Sequence, residues 1–329
     1  MKALYTPYKI FHFPEKLHSL PREGVATTAP LHIRIKPTNL CGHHCWYCAY
    51  KAKDLDLGAE MVERDQIPPE KMREIVSDME TIGVRAVTFS GGGDPFYYKP
   101  ILETVKRLAD GPIRFASLTN GARLSGEIAD VFAHHGTWLR VSMDGWDDAS
   151  YSRYRGVRLG DYTKLMENLL AFKRLGGSCH LGVSLIVDRD NACYVEESVK
   201  RLQDIGVNSV KVSPCITSND GNVSNQYHKP IFSAVRTQLE KLRAGLVNDY
   251  FELFDSYHEL DEKFDKSYDW CPYLQVLCVI GADQKVYSCQ DKAYTPEGLL
   301  GSLENQSFSE FWFKDKEKFF RIDPRLNSS

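Results

Sequence analysis

Three features common in other protein classes are missing from this 329-residue sequence. No run approaches the roughly 20 continuous apolar residues that a bilayer-spanning helix needs. The opening stretch MKALYTPYKIFHFPEKL is interrupted by Pro7, Pro14 and charges, so it holds no apolar signal-peptide core. No sign of charge dominates: 41 Lys and Arg face 44 Asp and Glu, a net charge of −3 with no long run of either sign. Neither nucleic acid nor a membrane surface is therefore an expected partner. Low-complexity segments are absent too. What remains is the composition of a soluble, cytoplasmic protein, 43% apolar and 12% aromatic, long enough to bury a sizeable core.

The nine cysteines are unevenly placed. In a reducing compartment they point to metal ligation or chemistry before disulfides, and their odd number agrees. Cys41, Cys45 and Cys48 lie on one short stretch, and Cys271, Cys278 and Cys289 form a second, looser group. Cys179, Cys193 and Cys215 stand alone.

From residue 31 a β-rich run, a loop, an amphipathic helix and a glycine recur. Strands are expected at Leu31–Lys36, Ala86–Ser90, Ile113–Leu118, Trp138–Met143, His180–Val187 and Ser209–Ser213. Between them, apolar residues at helical spacing mark one buried face per helix, as with Met72, Ile75, Val76 and Met79. Gly83, Gly111, Gly136, Gly176 and Gly206 follow the helices, where left-handed caps are expected. A last helix is expected near 229–244. Strands alternating with helices require right-handed crossovers and a parallel sheet. The expected fold is α/β: a partial (β/α)6 TIM-like barrel over 31–245, an N-terminal extension over 1–30, and a small C-terminal iron–sulfur domain over 246–329. In such barrels function gathers at the carboxyl ends of the strands. The unusual residues fall there: the cysteine triplet, Gly91-Gly92-Gly93-Asp94, Thr119-Asn120-Gly121, Ser142-Met143-Asp144-Gly145, Asp188 to Asn191, and Pro214-Cys215.

Cys41-Gly-His-His-Cys45-Trp-Tyr-Cys48 is a C-x₃-C-x₂-C loop. Thiolates are soft ligands, suited to iron–sulfur clusters, zinc or Cu(I). A zinc loop with His43 or His44 as fourth ligand is one reading. The other is a cubane cluster whose fourth iron has no protein ligand and is open to a small molecule.

C-x₃-C-x-aromatic-C after the first strand of an α/β domain resembles the signature of the radical S-adenosylmethionine (SAM) superfamily. The resemblance covers about residues 31–215. It implies one catalytic [4Fe–4S] cluster on Cys41, Cys45 and Cys48, with Tyr47 packed by the adenine of SAM. Ser90-Gly-Gly-Gly-Asp-Pro95 resembles the family's Gly-Gly-Glu-type motif, which lies along the methionine end of SAM; here Asp94 stands where glutamate is commoner. Val141-Ser-Met-Asp-Gly145 and Tyr154-Arg-Gly156 resemble segments of relatives with extra clusters. The resemblance implies Ser142 at the ribose and Arg155 at the SAM carboxylate, with Asp144, Asn120 and Asn191 as further cofactor-side residues.

Cys271-x₆-Cys278-x₁₀-Cys289 reads as a hairpin bringing three thiolates together. With Gly301-Ser-Leu-Glu304 and Phe308-Ser-Glu-Phe-Trp312 it resembles the SPASM/Twitch appendage. That implies one auxiliary [4Fe–4S] cluster with a fourth ligand from elsewhere, Cys215 included; buried structural cysteines or a zinc site are the alternative. The chain stops at Leu326-Asn-Ser-Ser329, where relatives often carry further cysteines.

The implied chemistry is reductive cleavage of SAM and hydrogen-atom abstraction from a substrate carbon, with a one-electron donor such as flavodoxin or ferredoxin. Oxidation follows if the auxiliary cluster takes an electron, and epimerisation if a thiol returns hydrogen. Cys215, at the end of strand six, is the candidate hydrogen donor. Residues 1–30 are too short for a leader-peptide recognition domain, which favours a small, carbohydrate-like substrate over a peptide. A non-catalytic zinc protein and a simple iron–sulfur electron carrier are the readings from other classes.

Overall fold

The computed structural model describes residues 7–24, 27–52, 55, 57–260 and 268–325. The terminal stretch 326–329 lies outside the described residues. Among the described residues ten strands form one sheet in the order β10-β9-β8-β1-β2-β3-β4-β5-β6-β7. The first six are β1 (His32–Ile35), β2 (Ala86–Phe89), β3 (Arg114–Thr119), β4 (Trp138–Met143), β5 (His180–Val187) and β6 (Ser209–Pro214). All six pair in parallel with their sequence neighbours, within a residue or two of the expected strand positions. β7 (Glu252–Asp255) extends the sheet in parallel beyond β6, whereas β8 (Leu277–Ile280) returns to pair in parallel with β1. β9 (Lys285–Tyr287) and β10 (Leu299–Ser302) continue antiparallel from β8. Among the described residues the two outer strands do not meet, so the sheet is an open, partial barrel.

Among the described residues ten α-helices accompany the strands. The first six are α1 (Pro14–Ser19), α2 (Pro69–Ile82), α3 (Ile101–Ala109), α4 (Gly126–His135), α5 (Asp148–Arg155) and α6 (Asp161–Arg174). They are followed by α7 (Val195–Ile205), α8 (Gly221–His228), α9 (Phe232–Leu246) and α10 (Phe308–Lys314). The apolar stripes land where the periodicity places them. Met72, Ile75, Val76 and Met79 of α2 are buried against Ile33, Ile35, Val87 and Phe89 in one continuous core on the helix side of the sheet. None of the described helices is long and apolar enough to cross a membrane.

The glycines after the helices divide into two kinds. Gly83, Gly176 and Gly206 have φ of +86°, +74° and +89°, the left-handed conformation expected of them. Gly136 has φ −66° and is extended. A Cβ there would sit 2.7 Å from the Phe132 carbonyl, so close approach rather than dihedral freedom fixes that glycine.

The N-terminal residues are fastened to the C-terminal ones. Gln275 donates to the Leu20 carbonyl at 2.6 Å, Trp312 Nε1 to the Thr28 carbonyl at 2.9 Å, and Lys316 to the Pro21 carbonyl at 2.7 Å. α10 in turn lies along α2, where Ser309 N–H donates to Asp78 at 2.8 Å.

Candidate active site

Side chains alternate along each strand, so residues flanking the buried apolar ones face the interior of the partial barrel. The loop after β1 crosses the open end of that interior. Three bonds shape it: His43 N–H to Cys41 Sγ at 3.4 Å, Cys48 N–H to the Cys45 carbonyl at 3.1 Å, and Ala52 N–H to the Cys48 carbonyl at 2.8 Å. Gly42 is pressed onto Tyr97, whose hydroxyl would lie 1.8 Å from any Cβ there. Cys41, Cys45 and Cys48 are all half-buried on this one loop. Burial pushes the Cys41 thiol up to about 11 and the Cys45 thiol upward as well; Cys45 adds to the field at Cys41, and Cys48 to that at Cys45. The Cys41 and Cys45 thiols resist ionisation alone, and with Cys48 beside them they suit a metal that stabilises thiolates.

Neither histidine of the loop joins them. His43 turns inward, packs edge-on against Tyr151 at 6.0 Å, and is held neutral as burial lowers its pKa to about 3. His44 is exposed, and its N–H donates to the Arg155 carbonyl at 2.7 Å. Among the described residues no three His, Cys, Asp or Glu side chains converge as the ligands of a single ion would.

The glycine triplet is explained by packing on this loop. A Cβ on Gly92 would sit 2.1 Å from Met61 Sδ, and one on Gly93 2.1 Å from the Leu40 carbonyl. The backbone pairs there too, with Asp94 N–H donating to the Leu40 carbonyl at 2.9 Å. Asp94 is fully occupied within the protein: its carboxylate accepts from Phe96 N–H at 2.9 Å, Thr119 Oγ1 at 2.8 Å and Asn120 N–H at 2.6 Å. It therefore ties the loop after β2 to the loop after β3. Asn120, so held, extends Nδ2 to Cys41 Sγ at 3.7 Å. The spacing of residues gave no sign of this contact.

At the end of β4, Asp144 meets Arg155 at 2.9 Å, with the two side chains 1% and 3% exposed. Burial opposes both charges, pushing the Asp144 carboxyl up, but Asp144 and Cys45 outweigh it at Arg155 and keep the guanidinium protonated. A guanidinium does not deprotonate, so Arg155 is a cation held in the interior. The pair is also incomplete: Asp144 Oδ2 and Arg155 Nη2 are buried with no hydrogen-bond partner, and so is the Tyr47 hydroxyl. Arg155 lies 5.9 Å from the Tyr47 ring. Buried polar atoms are almost always satisfied, so three orphans around Cys45 mark a place prepared for a polar ligand. Ser142 faces the interior nearby and is half-buried. Asn191 instead serves the scaffold, donating to the carbonyls of Asp144 at 2.9 Å and Ile186 at 2.7 Å. Tyr154 and Asp188, singled out in the sequence only within their motifs and without a role, hydrogen-bond to each other.

Cys215 is 1% exposed beyond β6, its carbonyl accepting from His228 Nε2 at 2.8 Å. Burial, reinforced by Asp188 and Asp144, pushes its thiol up to about 12, so it stays protonated.

The C-terminal cysteines are not brought together. In β8, Cys278 is in register with Ile33 and faces the helix-side core, fully buried, where its thiol is pushed far up by burial and its charged neighbours are Lys16 and Lys318. Val279 and Tyr287 face the opposite side with Tyr50 and Tyr294. Cys289 follows in extended backbone, and its field reaches Arg34 on that interior side. Cys271 packs at the edge of the helix-side core. The hairpin reading overlooked the alternation of β8, which sends Cys278 through to the other face.

The Radical SAM superfamily matches residues 35–202, about half the chain. A probable GTP 3′,8-cyclase of Thermococcus kodakarensis is 30% identical over 126 residues, 38% of this chain and 38% of that protein. The PqqA peptide cyclase of Bradyrhizobium diazoefficiens is 26% identical over 189 residues, 56% of this chain and 46% of that one. The chain thus spans well under two thirds of the curated relatives it matches. Streptococcus suis SuiB bound to S-adenosylmethionine shares the fold, with a TM-score of 0.64 at 15% identity, over 93% of this chain and 69% of that one. The anSMEcpe structure with bound AdoMet does so with a TM-score of 0.60 at 16% identity, over 89% of this chain and 82% of that one.

Proposed function

Because the chain belongs to the radical SAM superfamily, we propose that Cys41, Cys45 and Cys48 hold its [4Fe–4S] cluster and that SAM binds between that loop and the Asp144–Arg155 pair. The observation that carries this reading is the set of orphaned buried atoms, Asp144 Oδ2, Arg155 Nη2 and the Tyr47 hydroxyl, gathered beside Cys45. When bound, the cluster and SAM supply a 5′-deoxyadenosyl radical able to take hydrogen from an unactivated carbon. The chain's own residues do the rest. Arg155 presents a fixed cation to a carboxylate, and Asp144 holds it at the right angle through Nε. Ser142 offers a hydroxyl to a ribose. Gly91, Gly92 and Gly93 leave the backbone bare beside the loop, and Asn120 donates to the Cys41 sulfur. The substrate we favour is a small, carbohydrate-like molecule that is oxidised or epimerised. In the second outcome Cys215, held as a protonated thiol, returns the hydrogen. Modification of a peptide is the second reading, favoured by the similarity to the PqqA peptide cyclase.

An auxiliary cluster, if carried, draws on Cys289 and Cys271 with non-cysteine donors and leaves Cys278 in the core. The test is iron and acid-labile sulfide per chain after anaerobic reconstitution. A Cys41/Cys45/Cys48→Ala variant is expected to hold about four irons fewer than wild type and to cleave no SAM. Equal iron in the two proteins overturns the assignment.

A further inference from the structure

Beyond the carboxyl ends of β5 and β6 lies a buried carboxylate that the site above does not use. Asp188 follows Val187, the last residue of β5, and Cys215 follows Pro214, the last of β6. Val187 and Pro214 are in register, and Cys215 N–H donates to the Val187 carbonyl at 2.8 Å. Asp188 and Cys215 are therefore neighbours on adjacent strand ends. Two contacts join Asp188 to the Asp144–Arg155 pair as well. Tyr154, the residue before Arg155, bonds its carboxylate through the hydroxyl. Asn191 accepts from Asp188 N–H at 2.8 Å and donates to the Asp144 carbonyl at 2.9 Å. The carboxylate is thus flanked by the proposed SAM site and by the Cys215 thiol.

Its two oxygens are used differently. Oδ1 accepts from the Tyr154 hydroxyl, from Asp190 N–H at 3.0 Å and from Asn191 N–H at 3.1 Å. These three neutral donors fill one oxygen and fix the plane of the group. Among the described residues Oδ2 has no hydrogen-bond partner; unlike Asp144 Oδ2 it is not sealed off, so open space adjoins it. No described cation pairs with it either. Arg155 is engaged by Asp144 at 2.9 Å, Arg189 by the Tyr227 carbonyl at 2.7 Å, and Arg153 points to Asp190 at 4.0 Å. His228 is bonded to the Tyr257 hydroxyl and the Cys215 carbonyl, and burial lowers its pKa. Asp188 itself is only 4% exposed. A carboxylate kept from water with no cation beside it is a costly arrangement unless a ligand supplies one. Its charge reaches the neighbouring strand: after burial, Asp188 does most to raise the Cys215 thiol.

We infer that Asp188 Oδ2 receives an ammonium group of the substrate, at the SAM end of the sheet and one strand from Cys215. This rests on the proposed function and narrows its substrate class: an amino sugar or aminocyclitol fits, whereas a neutral sugar leaves the carboxylate without a counter-ion. An ammonium brings three donors and a full charge, enough to pair with Oδ2 in a charge-assisted bond. Anchored there, the substrate holds the carbons next to its amine near the proposed SAM site on one flank and Cys215 on the other.

The experiment titrates reconstituted, SAM-saturated protein without reductant by calorimetry, alongside iron content and SAM affinity. Two matched pairs serve as probes: glucosamine against glucose, and cyclohexylamine against cyclohexanol. Wild type is expected to bind the amine at least tenfold more tightly than its neutral partner in one pair or both. Asp188→Asn and Asp188→Ser both remove the charge, the first keeping the shape and the second only an oxygen for the backbone donors. Whichever of them folds is expected to lose the preference to within about twofold, with iron and SAM affinity unchanged. Absence of an amine preference in both wild-type pairs overturns the inference with no need of a variant. A preference that survives in either folded variant overturns it too. A tenfold fall in SAM affinity in those variants, with iron intact, would assign the carboxylate to SAM itself and end the inference. Amine preference kept by a protein that binds neither iron nor SAM would instead sink the function proposed above and leave the ammonium site standing.

Discussion

Two groups of three cysteines with similar spacing end in different places. The first sits on a loop with no ladder bonds of its own, and its shape comes from neighbours: Tyr97 under Gly42, and the Arg155 carbonyl at His44. Freed from strand geometry, these thiols stay near enough to act on one another, Cys45 on Cys41 and Cys48 on Cys45. The second group is spread over a turn, a strand and the end of a hairpin. There the two-residue period of β8 decides, and Cys278 is committed to the helix-side core because Ile33 and Ile280 are. Close spacing is therefore a safer guide to neighbouring thiols on a loop than across a ladder.

The sharpest way to break this contrast is to remove one cysteine from each group. Cys45→Ala is expected to abolish SAM cleavage and lower iron by about four per chain. Cys278→Val is expected to keep the wild-type iron content and shift only the melting temperature; loss of about four irons there would make Cys278 a ligand. Next in size, Asp94→Ala leaves three donors without an acceptor and is expected to cost about 3 kcal/mol, read as a lowered Tm. Arg155→Lys keeps charge but not the planar fork, and SAM affinity measured by calorimetry is expected to fall about tenfold or more. Asn120→Ala removes the donor at Cys41 Sγ; the midpoint potential of the bound cluster is expected to drop by about 40 mV, equivalent to about 1 kcal/mol per electron, with iron content constant. The smallest effect separates the lone cysteines. Exposed Cys193 is expected to alkylate readily at pH 8, while Cys215, buried and raised to about 12, resists until the protein unfolds.

Much of the fold was legible because each core helix presents an apolar stripe and each strand a short β-rich run. The six parallel strands follow from that rhythm alone. β7 was missed since Glu-Leu-Phe-Asp carries little β signal, and its place comes from β6. The continuity of β8 with β1 was equally hidden, because nothing local records a pairing between residues so far apart. At the site, the cysteine loop and Arg155 could be read directly. Asp94 was legible as a position but not as a role; its three hydrogen bonds exist only once two loops meet. The polar interior residues Arg140, His180 and Lys211 were written plainly in the alternation of their strands, yet attention to apolar periodicity passed over them.

The pairing of β1 has a further consequence, in time rather than in space. His32 to Ile35 pair with Leu277 to Ile280, so during synthesis β1 keeps one side of its backbone unpaired until β8 has emerged. The residues that follow it immediately are the cysteine loop. An edge strand left open that long is a template for wrong pairings, and long-range parallel pairing is slow to form. The cysteine loop is thus made well before the strand that completes the pairing of β1. That order leaves it accessible to whatever delivers iron and sulfide, and it makes docking of β8, flanked by Gln275 bonded to Leu20 and Trp312 bonded to Thr28, the step that completes the sheet beside it.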